Sequence, residues 1–458
     1  MINFRTIARQ LTFFIRQKSP LTVEEMCPVT LSVLCYRFAA YDVALVTDGR
    51  EDHWNELIGS VVGENVEPKY ALQSALLTGG TLFRDKDVFE VYDRVVQVMS
   101  RLPKGDFCKE YVLLIDELTK DYCSPARRVG LFNYILVLHG GRYVETVPRD
   151  VGTLVGTLLR RILGFKDGLQ LYDPACGVAS LALMAWERNF GRFDRMVLRE
   201  VSTLQADMAR LSMFVNGISQ YDLKNEDFLR DDWAPTKRYD VLVSMPAWGL
   251  RRRIDAPLKS GLQLRYPEFD EVPYDYACIL RGLESLTDDG VMIMAMPMGV
   301  LQQQGLGEAV RREIIVHNDL RAVIGMPVNM LYSTSVAFSL MVFQHSERRK
   351  EVLMINAKDM FEGHGRLNKM GYHEQQRIVH AFGGNRTIEG LSRMVSHEEI
   401  AQNNFNLMPS NYVSDPTAEQ RNIAEKIKEI NELIAQMQAV TREHNEYLRQ
   451  LGLPEIEL

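Results

Sequence analysis

The chain has 458 residues, of which 46% are apolar and 25% are charged, and its formal charge is −7. This composition is typical of a folded globular protein and excludes collagen-like and wholly disordered classes. The length predicts about two or three folding units. A negative charge does not favour a general coat for nucleic acid, but local groups of Lys and Arg can still bind phosphates.

No apolar run reaches the roughly 18 residues that a membrane-spanning helix needs. Arginines interrupt the N-terminal segment, so we expect neither a signal peptide nor a membrane partner. The six cysteines lie far apart and form no C-x-x-C pair. This spacing argues against a zinc site or a disulfide framework, and we expect no metal and a cytoplasmic location.

Residues 1–135 are predicted to form a helical N-terminal domain. Thr22 and Glu25 have the spacing of a capping box, and apolar residues follow at helical intervals. The segment Val88–Leu102 has the same period. These patterns indicate helices and carry no functional signal.

Residues 136–413 are predicted to form an α/β domain with a mostly parallel sheet, because short apolar runs alternate with helical stretches. The predicted strands are Leu169–Tyr172, Met196–Leu198, Tyr239–Ser244, Val291–Pro297, Ala322–Met326, Val336–Phe343 and Val352–Ile355. Ligands of such sheets bind at the carboxyl ends of the strands, where the strand order reverses.

The loop Asp173–Ala179 follows the first of these strands and precedes a predicted helix at Ser180–Arg188. Small residues let a ligand approach the backbone, and the helix start offers free N–H groups. Glu200 ends the next strand, where a carboxylate accepts hydrogen bonds from ribose hydroxyls. Asp227 lies where it could accept from an adenine amine. Together these residues indicate an adenosine-type ligand, although Glu200 and Asp227 could also be solvated strand-end carboxylates.

A second loop, Ser244-Met245-Pro246-Ala247-Trp248-Gly249, follows the strand Tyr239–Ser244. It resembles the Asn-Pro-Pro-aromatic loop of N6-adenine DNA methyltransferases, and the chain is most similar to the modification (M) subunits of type I restriction–modification systems. Asp173–Gly177 is similar to the S-adenosylmethionine (SAM) loop of that family, with Ala179 where glycine is usual. The segments 141–148, 290–343 and 404–412 also resemble the family, in the same order.

The resemblance implies a class I SAM-dependent methyltransferase fold, Rossmann-like, with an N-terminal helical domain and a C-terminal helical tail. It implies SAM as the cofactor, and double-stranded DNA, a specificity subunit and a restriction subunit as partners. The implied cofactor residues are Asp173, Pro174, Ala175, Gly177, Glu200 and Asp227, and the implied residues at the target base are Met245, Pro246 and Trp248.

Met245 occupies the position of the family's asparagine. An adenine amine is a poor nucleophile, and two acceptors, the Asn oxygen and the Pro carbonyl, would localise its lone pair toward the methyl group. A thioether is a feeble acceptor, so we expect a loss in rate on the order of 10²–10³. An alternative alignment places Ser244 at the position of the family's asparagine, but it displaces the aromatic residue. A further interpretation is that Met245 and Trp248 only pack in the protein core.

Arg251, Arg252 and Arg253 follow this loop, and clustered arginines beside a flipped base would bind phosphates. A solvated basic loop is the alternative.

Residues 414–458 are predicted to form a coiled-coil-like helix, capped by Thr417. Its apolar stripe, which either packs on its own domain or binds the specificity subunit, consists of Ile423, Ile427, Ile430, Ile434 and Met437.

Three functions are compatible with these patterns. The first is a DNA adenine-N6 methyltransferase with low or partner-dependent activity. The second is a catalytically inactive subunit that binds SAM or DNA in a bacterial defence complex, and Met245 is the feature that separates it from the first. The third, methylation of a protein glutamine, uses similar chemistry, but the long N- and C-terminal additions argue against it.

Overall fold

The computed structural model describes residues 3–79, 82, 86–140, 146–229, 238–250, 253–255, 271–363, 367–413 and 423–450. The chain forms two compact units, which comprise residues 1–413 and residues 414–458.

The described part of the N-terminal region forms seven helices. They are α1 Phe4–Lys18, α2 Val23–Val46, α3 His53–Val62, α4 Pro68–Gly79, α5 Lys86–Met99, α6 Asp106–Thr119 and α7 Pro125–Gly140. The predicted capping box is present at the start of α2, where the Glu25 carboxylate accepts from the Thr22 amide at 2.9 Å. The helical character predicted for the N-terminal region is confirmed.

By length and composition, helix α2 is apolar enough to cross a membrane. This differs from the expectation above that no segment of the chain is long and apolar enough to do so. In the structure, however, it is the central helix of the bundle. Its residues from Met26 to Ala40 are almost all buried against the surrounding helices. The apolar character of α2 is therefore accounted for by its place in the protein core.

The following region alternates strands and helices. Its strands are β1 Leu169–Asp173, β2 Phe193–Arg199, β3 Tyr221–Lys224, β4 Tyr239–Ser244, β5 Arg253–Asp255, β6 Glu271–Pro273, β7 Leu286–Pro297, β8 Leu320–Gly325, β9 Phe338–Phe343, β10 Glu351–Asn356, β11 Glu362–Gly363, β12 Asn368–Lys369 and β13 Ser392–Ser396. Its helices are α8 Arg149–Leu163, α9 Ser180–Arg188, α10 Thr203–Val215, α11 Tyr274–Glu284, α12 Leu306–Val316, α13 Tyr372–Gly383 and α14 His397–Gln402.

Nine of these strands form one sheet in the order β13-β10-β8-β9-β7-β4-β1-β2-β3. All neighbouring pairs are parallel except those that involve β9 or β13. The strand order reverses between β1 and β4, so a crevice opens at their carboxyl ends. The predicted α/β architecture with a mostly parallel sheet is confirmed.

Each predicted strand coincides with an observed one. Small differences occur at the ends, since Met326 and the residues before Phe338 lie outside β8 and β9. Strands β3 and β13 were not predicted, because both are short and partly polar edge strands of the large sheet. The strands of the two small two-stranded sheets, β5 with β6 and β11 with β12, are two or three residues long and were not predicted either.

Two apolar layers cover the faces of the sheet, one with α8, α9 and α13 and the other with α11 and α12. Helix α10 joins the sheet to the N-terminal bundle, and its Met208, Leu211 and Val215 belong to the apolar core of the bundle. At the same contact Arg94 of α5 forms a bidentate ion pair with the buried Asp207, with N–O distances of 2.8 and 2.5 Å. The helical bundle is thus fixed to the sheet by both packing and charge.

The second unit contains helix α15, Ile423–Gln450. Within this unit the stripe residues Ile430, Ile434 and Met437 are about half exposed, at 53%, 46% and 56%. Leu433 and Val440 widen the exposed apolar surface. The predicted cap at Thr417 and the side chains of Ile423 and Ile427 lie outside the described residues.

Candidate functional site: a cavity at the reversal of strand order

A cavity of about 260 Å³ lies at the carboxyl ends of β1, β2 and β4. Its lining residues include all six that were predicted to bind the cofactor: Asp173, Pro174, Ala175, Gly177, Glu200 and Asp227. Residues that lie far apart in the sequence therefore meet at one site, because parallel strands bring their carboxyl ends to one edge of the sheet.

The loop between β1 and α9 is held against the end of β2. The Cys176 amide donates to the Arg199 carbonyl at 2.9 Å, and the Gly177 amide donates to Glu200 Oε2 at 2.8 Å. Gly177 and Ala179 both have left-handed backbones, with φ of 55° and 63°. Glycine adopts this conformation without strain, whereas alanine does so at a cost of roughly 1–2 kcal/mol.

Asp173 is the last residue of β1 and is only 1% exposed. Its Oδ1 accepts from the Ser244 hydroxyl at 2.9 Å and from the Ala175 amide at 3.2 Å. Burial raises the pKa of Asp173 to about 7, and the nearby Glu200 carboxylate acts in the same direction, while the two hydrogen bonds oppose them. An ionised Asp173 would be stabilised by a cation in the cavity.

Glu200 is held in position by two backbone donors. Oε2 accepts from the Gly177 amide, and Oε1 accepts from the Ser202 amide, both at 2.8 Å. Each carboxylate oxygen has a second lone pair. The carboxylate is thus fixed at the edge of the cavity.

The segment after β3 contributes two carboxylates to the cavity. Asp227 Oδ1 accepts from the Leu229 amide at 2.9 Å, which fixes the turn. Glu226 pairs with the buried Arg199 at 2.5 Å. Asp227 and Glu226 both line the cavity.

The charge of the cavity distinguishes between classes of nucleotide. Asp173, Glu200, Glu226 and Asp227 line it, and no Lys or Arg is among the described lining residues. Phosphate groups would be repelled by this set of carboxylates, whereas SAM has no phosphate and carries a net positive charge, with a sulfonium and an ammonium against one carboxylate. The residues present therefore fit SAM and disfavour a dinucleotide.

The loop after β4 borders the same cavity. Met245 and Ala247 line it, while Pro246 is buried. Ser244 is fully buried, and its hydroxyl donates to Asp173. This geometry argues against the alternative alignment, in which the Ser244 hydroxyl would face the target base.

Trp248 is half-buried beside this loop. Its Nε1–H donates to the Ala295 carbonyl at 3.0 Å, and its ring lies 5.7 Å from that of Phe338. Packing and this hydrogen bond therefore fix the orientation of the indole. Trp248 is not among the described residues that line the cavity.

Several cavity residues were missed in the sequence analysis. Tyr274, at the start of α11, reaches the site from a distant segment, and Val201 is 69% exposed directly after Glu200. The position after a strand-end carboxylate could have indicated Val201, but no pattern indicated Tyr274. Arg251 and Arg252 lie outside the described residues, and only the backbone of Arg253, in β5, is described.

The sheet order and the antiparallel β9, with a cavity at the reversal of strand order, are those of the class I methyltransferase fold. A methyltransferase subunit of the type I restriction–modification system from Streptococcus thermophilus has the same fold, with a TM-score of 0.73 and 19% identity over 90% of this chain and 99% of that one. A chain from a structure of type I restriction–modification complex assembly has a TM-score of 0.60 and 15% identity, with 97% of each chain covered.

The family model described as N-6 DNA Methylase matches residues 140–421, and the chain belongs to this family. The type I restriction enzyme MjaVII methylase subunit of Methanocaldococcus jannaschii is 26% identical over 60% of this chain and 51% of its own length. The MjaVIII methylase subunit of the same organism is 24% identical over 88% of this chain and 69% of its own length. The chain spans about half the length of the first of these relatives.

These relatives confirm the predicted similarity to type I modification subunits, and family membership implies SAM as the cofactor, as predicted.

Proposed function

We propose that the chain is the modification subunit of a type I restriction–modification system, that it binds SAM in the cavity, and that its transfer of a methyl group to adenine N6 is impaired. The observation that carries this proposal is Met245, which lines the cofactor cavity at the end of β4. Membership of the N-6 DNA Methylase family supports the reaction class, and the curated relatives support the type I assignment.

Bound SAM supplies an electrophilic methyl group. In the chain, Asp173 would pair with the ammonium of the methionine portion, Glu200 would accept from the ribose hydroxyls, and Asp227 would accept from the adenine amine. Each role matches the hydrogen-bond chemistry of a carboxylate held at that place in the cavity. The SAM loop would contact the ligand through Pro174, Ala175 and Gly177, which have no bulky side chains.

The target adenine has to leave the duplex to reach this cavity. Its amine would donate to the Pro246 carbonyl, and Trp248 would stack on the base. The second acceptor is missing, since neither Met245 nor Ala247 offers a side-chain oxygen to the cavity. The loss of one preorganised polar group at a reacting centre lowers the rate by about 10²–10³.

A catalytically inactive subunit that binds SAM or DNA for a bacterial defence complex is the second candidate. The same observation favours it, because Met245 and Ala247 both depart from the Asn-Pro-Pro pattern while the cofactor residues are retained. The two candidates differ only in whether methyl transfer occurs at all.

The DNA contacts and the subunit contacts belong to the proposal. Arg251, Arg252 and Arg253 would bind phosphates beside the flipped base. The exposed stripe of α15, with Ile430, Ile434 and Met437, would pack against the specificity subunit. A restriction subunit would join the same complex in the bacterial cytoplasm.

The test is mass spectrometry of nucleosides from double-stranded DNA that has been incubated with SAM and the purified complex. A slow, SAM-dependent appearance of N6-methyladenine supports the impaired enzyme. Calorimetric binding of SAM without any N6-methyladenine supports the inactive subunit. The absence of SAM binding by folded protein at about 1 mM ligand, a concentration that detects binding free energies as weak as about −4 kcal/mol, contradicts the impaired enzyme and restricts the second candidate to a subunit that binds DNA alone.

A further inference from the structure

The end of the cofactor strand β1 and the end of the catalytic strand β4 are joined by one buried hydrogen bond. Ser244, the residue before Met245, donates its hydroxyl to Asp173 Oδ1 at 2.9 Å. Ser244 is 0% exposed and Asp173 is 1% exposed. The bond links a side chain of the cofactor site to the backbone of the loop that would receive the target base.

We propose that Ser244 is a positioning residue that holds the Asp173 carboxylate in its ionised, cation-binding form and ties the cofactor loop to the catalytic loop. The inference rests on the proposed function, namely that SAM binds in this cavity. It assigns to Ser244 a role that differs from that of an acceptor for the target base, and Ser244 acts through Asp173 rather than on the reacting atoms.

The surroundings of Asp173 make this hydrogen bond important. Among the described residues, the carboxylate has one further donor, the Ala175 amide. The titratable and charged groups at the site are Glu200 and Arg199 at the end of β2, Cys176 in the loop, Glu226 and Asp227 after β3, Tyr172 in β1 and Tyr274 in α11. Burial and Glu200 raise the pKa of Asp173 to about 7, so the Ser244 hydroxyl opposes protonation near neutral pH.

The consequence concerns cofactor affinity as a function of pH. The SAM ammonium attracts only the ionised form of Asp173, so affinity should fall about tenfold per pH unit below the pKa of this carboxyl. Loss of a hydrogen bond to a buried charged group moves a pKa upward by about one unit. Ser244→Ala should therefore weaken SAM binding about tenfold near pH 6 and much less near pH 8.5.

The experiment is calorimetric titration of the full chain with SAM, from about pH 5.5 to about pH 8.5. The pH at which the SAM affinity begins to fall, called the inflection below, should be higher in Ser244→Ala than in the wild type. Ser244→Thr retains a hydroxyl and should have the wild-type inflection. Ser339→Ala is the matched control, because Ser339 is also fully buried in the sheet but donates to a backbone carbonyl, that of Met296, at 3.3 Å. Its inflection should match that of the wild type.

Two results would overturn the inference while the proposed function stands: an unchanged inflection in Ser244→Ala, or a loss of affinity that is equal at every pH. If the wild type binds no SAM at any pH, both the inference and the proposed function fail. If Ser244→Ala does not fold, Ser244→Cys is the alternative variant, because it provides a weak donor of similar size. Ser244→Cys should shift the inflection upward by a smaller amount than alanine would. An unshifted inflection in Ser244→Cys would again overturn the inference.

Discussion

Replacing Asp173 by Asn should stabilise the cofactor-free protein while abolishing its cofactor affinity. The introduced amide would keep an oxygen acceptor for the Ser244 hydroxyl and for the Ala175 amide, at the positions where Asp173 accepts at 2.9 and 3.2 Å. It cannot be ionised, so it removes the cost of burying a carboxylate. It also removes the anion that we propose as the partner of the SAM ammonium.

The magnitude follows from the pKa of Asp173, which burial raises from 3.8 to about 7. A raised carboxyl pKa means that the folded state binds the proton more tightly than the unfolded state. The stability that comes from this protonation is complete below about pH 4, declines as the pH rises and is lost above about pH 7. Near pH 8 the ionised carboxylate then costs about 4 kcal/mol, and near pH 5 about 1.5 kcal/mol.

The advantage of Asp173→Asn over the wild type should therefore grow by about 2–3 kcal/mol between about pH 5 and about pH 8. With an unfolding entropy of about 2.1 cal/mol/K per residue, this corresponds to roughly 3 °C in Tm for a unit of 413 residues. Scanning calorimetry at the two pH values measures the difference directly.

Asp240→Asn is the control for the substitution itself, because Asp240 lies near the opposite end of β4 and accepts from the Gln170 amide. A difference in Tm between Asp173→Asn and the wild type that is the same at both pH values would refute the account of Asp173. Retention of wild-type SAM affinity by Asp173→Asn would refute its role toward the cofactor.

Ala179→Gly should raise the free energy of unfolding by about 0.5–1 kcal/mol, because Ala179 has a left-handed backbone with φ of 63°. Urea unfolding measures this gain, and the control Ala182→Gly, which places glycine within a helix, should lose stability. The double variant Ile430→Asp, Ile434→Asp should stop co-elution with the co-expressed specificity subunit by burying unpaired charge, and deletion of residues 419–458 should do the same while SAM binding persists. Co-elution of the truncated chain would contradict the assembly role of α15. Replacing all three arginines of 251–253 by alanine should weaken DNA binding in a titration. It should also lower the slope of the logarithm of the DNA-binding constant against the logarithm of salt concentration by up to about three. An unchanged slope would contradict phosphate contacts.

Most of the fold could be predicted from the sequence, because buried parallel strands are continuous apolar runs and helices show a 3.6-residue period. Tyr239–Ser244 and Ser180–Arg188 were predicted with the bounds that the structure has. Edge strands such as Tyr221–Lys224 carry few apolar residues and form only through pairing with a neighbour, here β2. Their existence depends on tertiary contacts that no local pattern encodes.

The cavity itself was predicted in outline. Asp173, Glu200 and Asp227 each lie at or just after the end of a strand, and the parallel sheet brings them together. The sequence could not indicate that Ser244 donates to Asp173, since this contact depends on the pairing of β1 with β4, which are distant in the chain. It also could not indicate Tyr274, which reaches the cavity from α11.

We propose that Met245 limits methyl transfer in an otherwise suitable cavity. The most direct test compares the wild type with the double variant Met245→Asn, Ala247→Pro in the assembled complex, by mass spectrometry of N6-methyladenine after incubation of DNA with SAM. Ala247→Pro alone is the matched control. We expect the double variant to methylate faster than the wild type by about 10²–10³ and the control to methylate no faster than the wild type. A wild type that already methylates as fast as the double variant would contradict the claim, as would a double variant that binds SAM and DNA but gains no activity.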